Sequence, residues 1–195
     1  MTREVPSTGR GGQPPDDGRT LRTAGLPVPS RACERADVNP ARFLTDASLE
    51  LVARRLRMLG YDVRTVRGAR LEELLAAAAE DDRTVLTASA RHPRRFAAVP
   101  VVQLPREDPA AAVRNIARDH APTGAPFSRC TACNGALQKR HPLEASGEVP
   151  GRVLRAARGL AYCPQCGKWF WDGSHVARIR TWLSSTLGRE VPGPE

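Results

Sequence analysis

The stretch R-F-L-T-D-A-S-L-E-L-V-A-R-R-L-R-M-L-G-Y-D-V, Arg42 to Val63, sets the fold class of the chain. R-F-L-T is a short apolar run of strand type. It leads straight into a segment where Leu49, Val52, Ala53, Leu56 and Leu59 recur at helical spacing, and Gly60 follows as a C-terminal stop. Arg54, Arg55 and Arg57 fall mostly off this apolar stripe. One carboxylate, Asp46, stands at the joint between strand and helix. A carboxylate there serves as a helix cap or as one arm of a metal site, and its surroundings must decide which.

The alternation continues downstream. Tyr61 to Val66 reads as a second strand, and L-E-E-L-L-A-A-A-A as a helix with Leu71, Leu74, Leu75 and Ala78 on one face. T-V-L-T, Thr84 to Thr87, reads as a buried strand, and V-P-V-V-Q-L as a fourth. D-P-A-A-A-V-R-N-I-A-R then reads as a helix capped by Asp108, with Pro109 at its first position. Strands alternating with helices imply an α/β fold: a parallel sheet covered on both faces, built with right-handed crossovers. A break in composition at A-P-T-G-A-P, Ala121 to Pro126, precedes both cysteine pairs. A helix opened by Ser174 follows them, with Val176, Ile179, Trp182 and Leu183 on one side, and the last residues, G-R-E-V-P-G-P-E, should fray.

Composition narrows the class. Of 195 residues 41% are hydrophobic but only 5% aromatic, so the apolar content is mostly Ala, Leu and Val, suited to helices packed on a sheet. No run approaches the ~18 apolar residues of a membrane span, and the N-terminus lacks the hydrophobic segment of a secretory signal. The cytoplasm is the expected location and no membrane partner is expected. The net charge of +9 suits a polyanionic partner. Lysine occurs only at Lys139 and Lys168, however, so the arginine excess also reads as compositional bias, and where the charge sits matters more than its sum. Residues 1–40 carry Gly, Pro and polar residues without an apolar face and read as a disordered arm. Cys33 within it reads as an incidental thiol.

The other four cysteines form two pairs, C-T-A-C-N-G from Cys130 and C-P-Q-C-G-K from Cys163. Each is a knuckle, a tight turn aiming two thiolates at one point. Cys130, Cys133, Cys163 and Cys166 together predict a tetrahedral Zn²⁺ site of structural type, with no open position for a substrate. Iron, a redox dithiol and unconnected thiols are the competing readings. The insert Asn134 to Tyr162 is basic through Lys139, Arg140, Arg152, Arg155 and Arg158, which suits either a nucleic-acid contact or a solvated loop. Trp169, Phe170 and Trp171 after the second knuckle suit base stacking or, more commonly, packing of the ribbon against its neighbour.

Taken together, R-F-L-T-D-A-S-L-E-L-V-A-R-R-L-R-M-L-G-Y-D-V, E-E-L-L-A-A-A, T-V-L-T, P-F-S-R-C-T-A-C-N-G, Y-C-P-Q-C-G-K-W-F-W and D-G-S-H resemble the Mut-seven C-terminal RNase domain family, over Arg42 to about Leu187. The resemblance implies a PIN-like three-layer sandwich over 41–121, a zinc ribbon with its C-terminal helix over 122–187 and a tail over 188–195. It further implies RNA as partner and acidic residues holding Mg²⁺ or Mn²⁺ at the carboxyl ends of the strands for phosphodiester hydrolysis. Asp46 matches the first acid of that pattern. The second falls at Arg70 or Leu71, with Glu72 one residue off; Ser89 stands where the third is expected; Asp108 is a further candidate whose capping role explains it equally. Arg91, Arg94 and Arg95 crowd the same edge, where they would oppose a divalent cation and suit RNA phosphate. Two readings follow: a metal-dependent ribonuclease using Asp46, Glu72 and Asp108, or a degenerate member that binds RNA or a protein without cutting.

Overall fold

The computed structural model describes residues 40–156 and 159–194. The arm with Cys33, and Arg158 of the insert, lie outside the described residues. Strands β1 (Arg42–Asp46), β2 (Asp62–Val66), β3 (Thr84–Thr87) and β4 (Val101–Gln103) form one sheet in the order β2-β1-β3-β4, with every neighbouring pair parallel. This is the α/β sheet expected from the alternating pattern.

Both faces are covered, which is why these strands read as continuous apolar runs. Successive residues of β1 point to opposite sides. Phe43 enters a cluster with Leu56, Ile116 and Leu183, from helices α1 (Glu50–Met58), α3 (Pro109–Asp119) and α5 (Ser174–Leu187). Leu44 enters a second cluster with Leu74, Leu75 and Ala78 of α2 (Leu71–Asp81). Asp46 caps a single helical turn, Ala47–Leu49, that leads into α1, its carboxylate accepting the Ser48 N–H at 2.7 Å.

Three expectations change. Arg57 is buried, at 1% exposure, instead of lying off the apolar stripe. Two turns after Leu49 and one after Ala53, it falls on the same row of the helix, so position outweighed residue type. Helix α5 has Gly173 at its cap with no side-chain cap bond, which makes Ser174 its first residue rather than its cap. The tail also does not fray throughout. Val191 is buried at 2% exposure, its N–H donates to Ser184 Oγ at 3.0 Å, and its carbonyl accepts from Arg180 Nε at 3.2 Å.

The insert between the cysteine pairs is folded. It contributes β5 (Gln138–Arg140), a turn at Pro142–Ala145, α4 (Gly151–Ala156) and β6 (Leu160–Tyr162), and β6 pairs antiparallel with both β5 and β7 (Trp169–Trp171). Ala145, Val149 and Leu160 make a small separate cluster, against which Val153, Leu154 and Trp169 pack. Trp169 lies 4.8 Å from Tyr162, ring to ring, and donates its indole N–H to Glu148 at 2.9 Å, so it serves packing; Trp171 is 39% exposed.

Gly60 joins α1 to β2 at φ +89°, and a Cβ there would meet the backbone of Gly124 and come within 2.7 Å of the Ala125 carbonyl. Its own carbonyl accepts the N–H groups of Thr123 and Gly124, which straps the connection to the ribbon against the sheet. Gly60→Ala should therefore destabilise the fold by more than about 2 kcal/mol, combining left-handed strain with backbone overlap. Gly68→Ala, also at positive φ but with nothing within 4 Å, should cost only about 1 kcal/mol. Equal shifts of the two variants in urea denaturation would refute the steric account.

Candidate metal centre and nucleic-acid interface

The two knuckles share one geometry. In the first, the Cys130 N–H bonds the Gly135 carbonyl at 2.8 Å and the Asn134 N–H bonds the Cys130 carbonyl at 2.9 Å; Asn134 takes φ +71°. In the second, the Cys163 N–H bonds the Lys168 carbonyl and the Gly167 N–H bonds the Cys163 carbonyl, both at 2.9 Å, with Gly167 at φ +68°. The turns bring all four Sγ atoms within 4.8 Å of one another, with Cys130 to Cys166 at 3.6 Å and Cys133 to Cys163 at 3.4 Å. A tetrahedral ion with thiolates at about 2.3 Å sets sulfurs about 3.8 Å apart, so the cluster can hold a metal ion and fits a zinc ribbon.

The close packing of the four thiols shifts their proton affinities in different directions. Burial pushes Cys133 up to about 12, with hydrogen bonds from Cys163, Cys166 and Cys130 adding to the rise. Burial also raises Cys130. At Cys163 burial acts in the same direction, but backbone N–H groups of Cys166 and Gln165 and the thiols of Cys133 and Cys166 outweigh it and the group is lowered. Cys163 thus gathers the available donors, while Cys130 and Cys133 hold their protons more tightly than an ordinary thiol.

The first knuckle docks on the outer edge of β2 through polar bonds. Asn134 accepts the Val63 N–H at 3.0 Å and donates to the Asp62 carboxylate at 2.7 Å. Buried Arg57 donates from Nε to the Val63 carbonyl and from Nη1 to the Thr131 carbonyl, each at 2.8 Å, and from Nη2 to Thr65 Oγ1 at 2.6 Å. Asp62 also meets Arg83 at 2.7 Å and Arg129 at 3.5 Å. Burial would raise its carboxyl, yet the Arg83 and Asn134 bonds and the charges of Arg83 and Arg129 hold it below the usual carboxylate range. None of Arg57, Asp62 and Asn134 stood out as a site residue in the sequence. Asn134 alone carried a signal: it occupies the knuckle position that is Gly167 in the other turn.

The acidic candidates lie along the carboxyl end of the sheet. In the strand register, Asp46 is level with Val66, and Thr87 is level with Gln103. Ser89 follows Thr87, Asp108 follows β4, and Glu72 lies in the first turn of α2. Each has a local bond. Asp46 accepts from Ser48, Asp108 accepts the Ala111 N–H at 2.8 Å, Ser89 Oγ accepts the Arg91 N–H at 3.1 Å, and Glu72 is ion-paired with Arg95. Among the described residues, the four cysteines are the one group of three or more His, Cys, Asp or Glu side chains placed to hold a metal. Arg91, Arg94 and Arg95 are exposed around a turn at Arg94–Phe96, and Arg155 is exposed on α4.

Against protein-family models, the Mut7-C RNAse domain matches residues 41–183, spanning the sheet, both knuckles and most of α5. The chain belongs to the Mut7-C RNAse domain family. No curated protein and no solved structure matches it. Membership in this RNAse family suggests RNA as a partner. No helix among the described residues is long and apolar enough to cross a membrane.

Metal binding at the four cysteines should release protons held by Cys130 and Cys133, because both are raised. Affinity then weakens as pH falls, by about two orders of magnitude per pH unit where two protons leave. Competition with a chromophoric chelator between pH 6 and 8 measures the slope, and a flat response would contradict the thiol assignment.

Proposed function

We propose that the chain is an RNA-binding member of the Mut7-C RNAse domain family, with Zn²⁺ as the structural metal of Cys130, Cys133, Cys163 and Cys166. The donor set supports zinc: four soft thiolates in a closed tetrahedral arrangement suit an ion without redox chemistry and leave no place for a substrate. When bound, that ion supplies a cross-link between the two knuckles. On this reading residues 41–121 form the PIN-like layer and residues 122–187 a zinc-clamped extension.

RNA binding without hydrolysis rests on one observation: of the four acid positions of the carboxyl edge, Ser89 has no carboxylate and Glu72 is ion-paired with Arg95, which leaves only the two capping residues Asp46 and Asp108. Metal-assisted hydrolysis needs several carboxylates converging on Mg²⁺ or Mn²⁺. Here Ser89 stands in one such position and holds the Arg91 N–H, while Arg95 neutralises Glu72. The edge is better supplied with phosphate donors than with metal ligands. Arg91, Arg94 and Arg95 can offer forked N–H pairs to a phosphodiester, and Arg155 extends the basic surface on the insert.

Hydrolysis is the second reading, favoured by Asp46 at the end of a central strand. Asp46 would hold the metal, with Glu72 and Asp108 assisting. One experiment separates the two. The full chain is incubated with mixed-sequence RNA oligonucleotides and Mn²⁺ beside Asp46→Asn, whose amide oxygen can keep the Ser48 bond. Binding by both without cutting is expected, and replacement of Arg91, Arg94 and Arg95 by Gln should weaken binding about tenfold at low salt. Mn²⁺-dependent cutting by the parent that is lost in Asp46→Asn would establish the ribonuclease instead.

A further inference from the structure

We propose that the cleft between the carboxyl-terminal ends of α3 and α5 is a second RNA contact, a phosphodiester site whose donors are Arg114, Arg118 and Arg189. The inference rests on the RNA-binding reading above and assigns part of that binding to the end of the sheet opposite the family's acid positions.

The cleft is open, about 340 Å³, and lined by Arg114, Asn115, Ala117, Arg118, Leu187 and Arg189. Its lining residues therefore carry three guanidinium groups and an amide, with the Asp119 carboxylate beside them on Arg118. Arg114 and Arg118 are one turn apart on α3 and share a face, an arrangement of like charges that slightly destabilises a helix unless an anion joins them. Arg189 comes from a different element. Gly188, at φ +63°, ends α5 and turns the chain, and Val191 two residues beyond Arg189 is buried and bonded to Ser184 and Arg180. The tail backbone is thus pinned on both sides of Arg189, which brings this residue to the cleft in the folded protein. Arg118 is held by Asp119 through bonds of 2.7 and 2.8 Å from Nε and Nη2, which fix the guanidinium and leave Nη1 as its free donor, so Arg114 and Arg189 carry the forked contacts.

The negative ends of the helices account for only part of this arrangement. A cation in the last turn of a helix is favoured by its dipole, and Arg118 is so placed. Arg189, directly after the C-cap of α5, is favoured in the same way, whereas Arg114 lies before the last turn of α3 and the dipoles do not account for it. A tetrahedral dianion or phosphodiester fits the donors, since guanidinium forks match its oxygens and exposed sites suffice for backbone contacts. The length of α3 also favours a polymer over a free anion. Arg118 lies about 15 Å along the helix axis from Asp108 at the carboxyl edge, so one strand along α3 can touch both ends.

The test uses the full chain and a fluorescein-labelled single-stranded RNA oligonucleotide, with anisotropy measured across a salt series. In R114Q/R189Q, affinity should fall about tenfold and the salt slope by about 1.4, corresponding to two lost phosphate contacts on a single strand. The thermal midpoint of each variant is recorded in parallel. If the double variant does not fold, R189Q, which alters an exposed side chain, should lower the slope by about 0.7. An unchanged affinity and slope, with binding still weakened about tenfold when Arg91, Arg94 and Arg95 become Gln, would overturn this site and leave the RNA-binding reading standing. A parent chain that binds no RNA would overturn both.

Discussion

The exposed edge of β2 is where the structure is decided. An edge strand carries N–H and carbonyl groups with no neighbouring strand, and at Val63 both are met by side chains: Asn134 accepts the N–H and Arg57 donates to the carbonyl. Asn134 is available for this only because the first knuckle turns left-handed at that residue, where Gly167 in the second knuckle has no side chain to offer. A turn that positions sulfur therefore also replaces the missing strand. Arg57 completes the joint by bonding the Thr131 carbonyl inside the same knuckle. The cysteine cluster and the sheet edge are consequently joined through one knuckle, and disorder of that knuckle would release polar groups of β2.

Burying Arg57 imposes conditions on its neighbours. A guanidinium at 1% exposure loses most of its hydration, and desolvation lowers its affinity for its proton despite the nearby Glu50 charge. Compensation comes from carbonyls of two elements, a hydroxyl, and Glu50 at 3.5 Å. Glu50 itself is imperfectly accommodated, since its Oε2 is buried without a hydrogen-bond partner. Burial opposes its ionisation, yet the bond from Arg54, the nearby Thr65 hydroxyl and the charges of Arg57 and Arg54 hold its carboxyl below the ordinary range. Buried pairs of this kind gain little net stability against apolar replacements. Their directional bonds nevertheless fix the register of knuckle on strand, which an apolar contact would leave free to slide.

Much of this architecture was legible because it follows from periodicity. Phe43, Leu44, Val85 and Leu86 sit in unbroken apolar runs and occupy a sheet covered on both faces; Leu74, Leu75 and Ala78 recur at helical spacing and are buried together. The cysteine spacing located the cluster because two thiols three residues apart close a knuckle without help from the rest of the chain. Arg57, Asp62 and Asn134 were not legible, since their roles depend on partners distant in sequence. The buried Val191 and the folded insert were missed for a related reason. Pro and Gly suggest frayed chain when read locally, whereas a single apolar residue that finds a cavity between distant elements can anchor it.

Family membership transmits the fold more securely than the chemistry, because the two depend on different residues. The sheet depends on apolar runs and on polar bonds at the β2 edge, none of which requires a carboxylate at the opposite, carboxyl end of the strands. Asp46 and Asp108 each retain a structural task there, capping a turn and a helix through backbone N–H groups. Such residues persist whether or not they hold a metal. Ser89 has no comparable constraint beyond a local turn bond that an aspartate carboxylate could also accept, so the fold did not force the serine. Ser89 also lies beside the exposed Arg91, Arg94 and Arg95, so this stretch of the edge carries positive charge where an aspartate would have offset part of it.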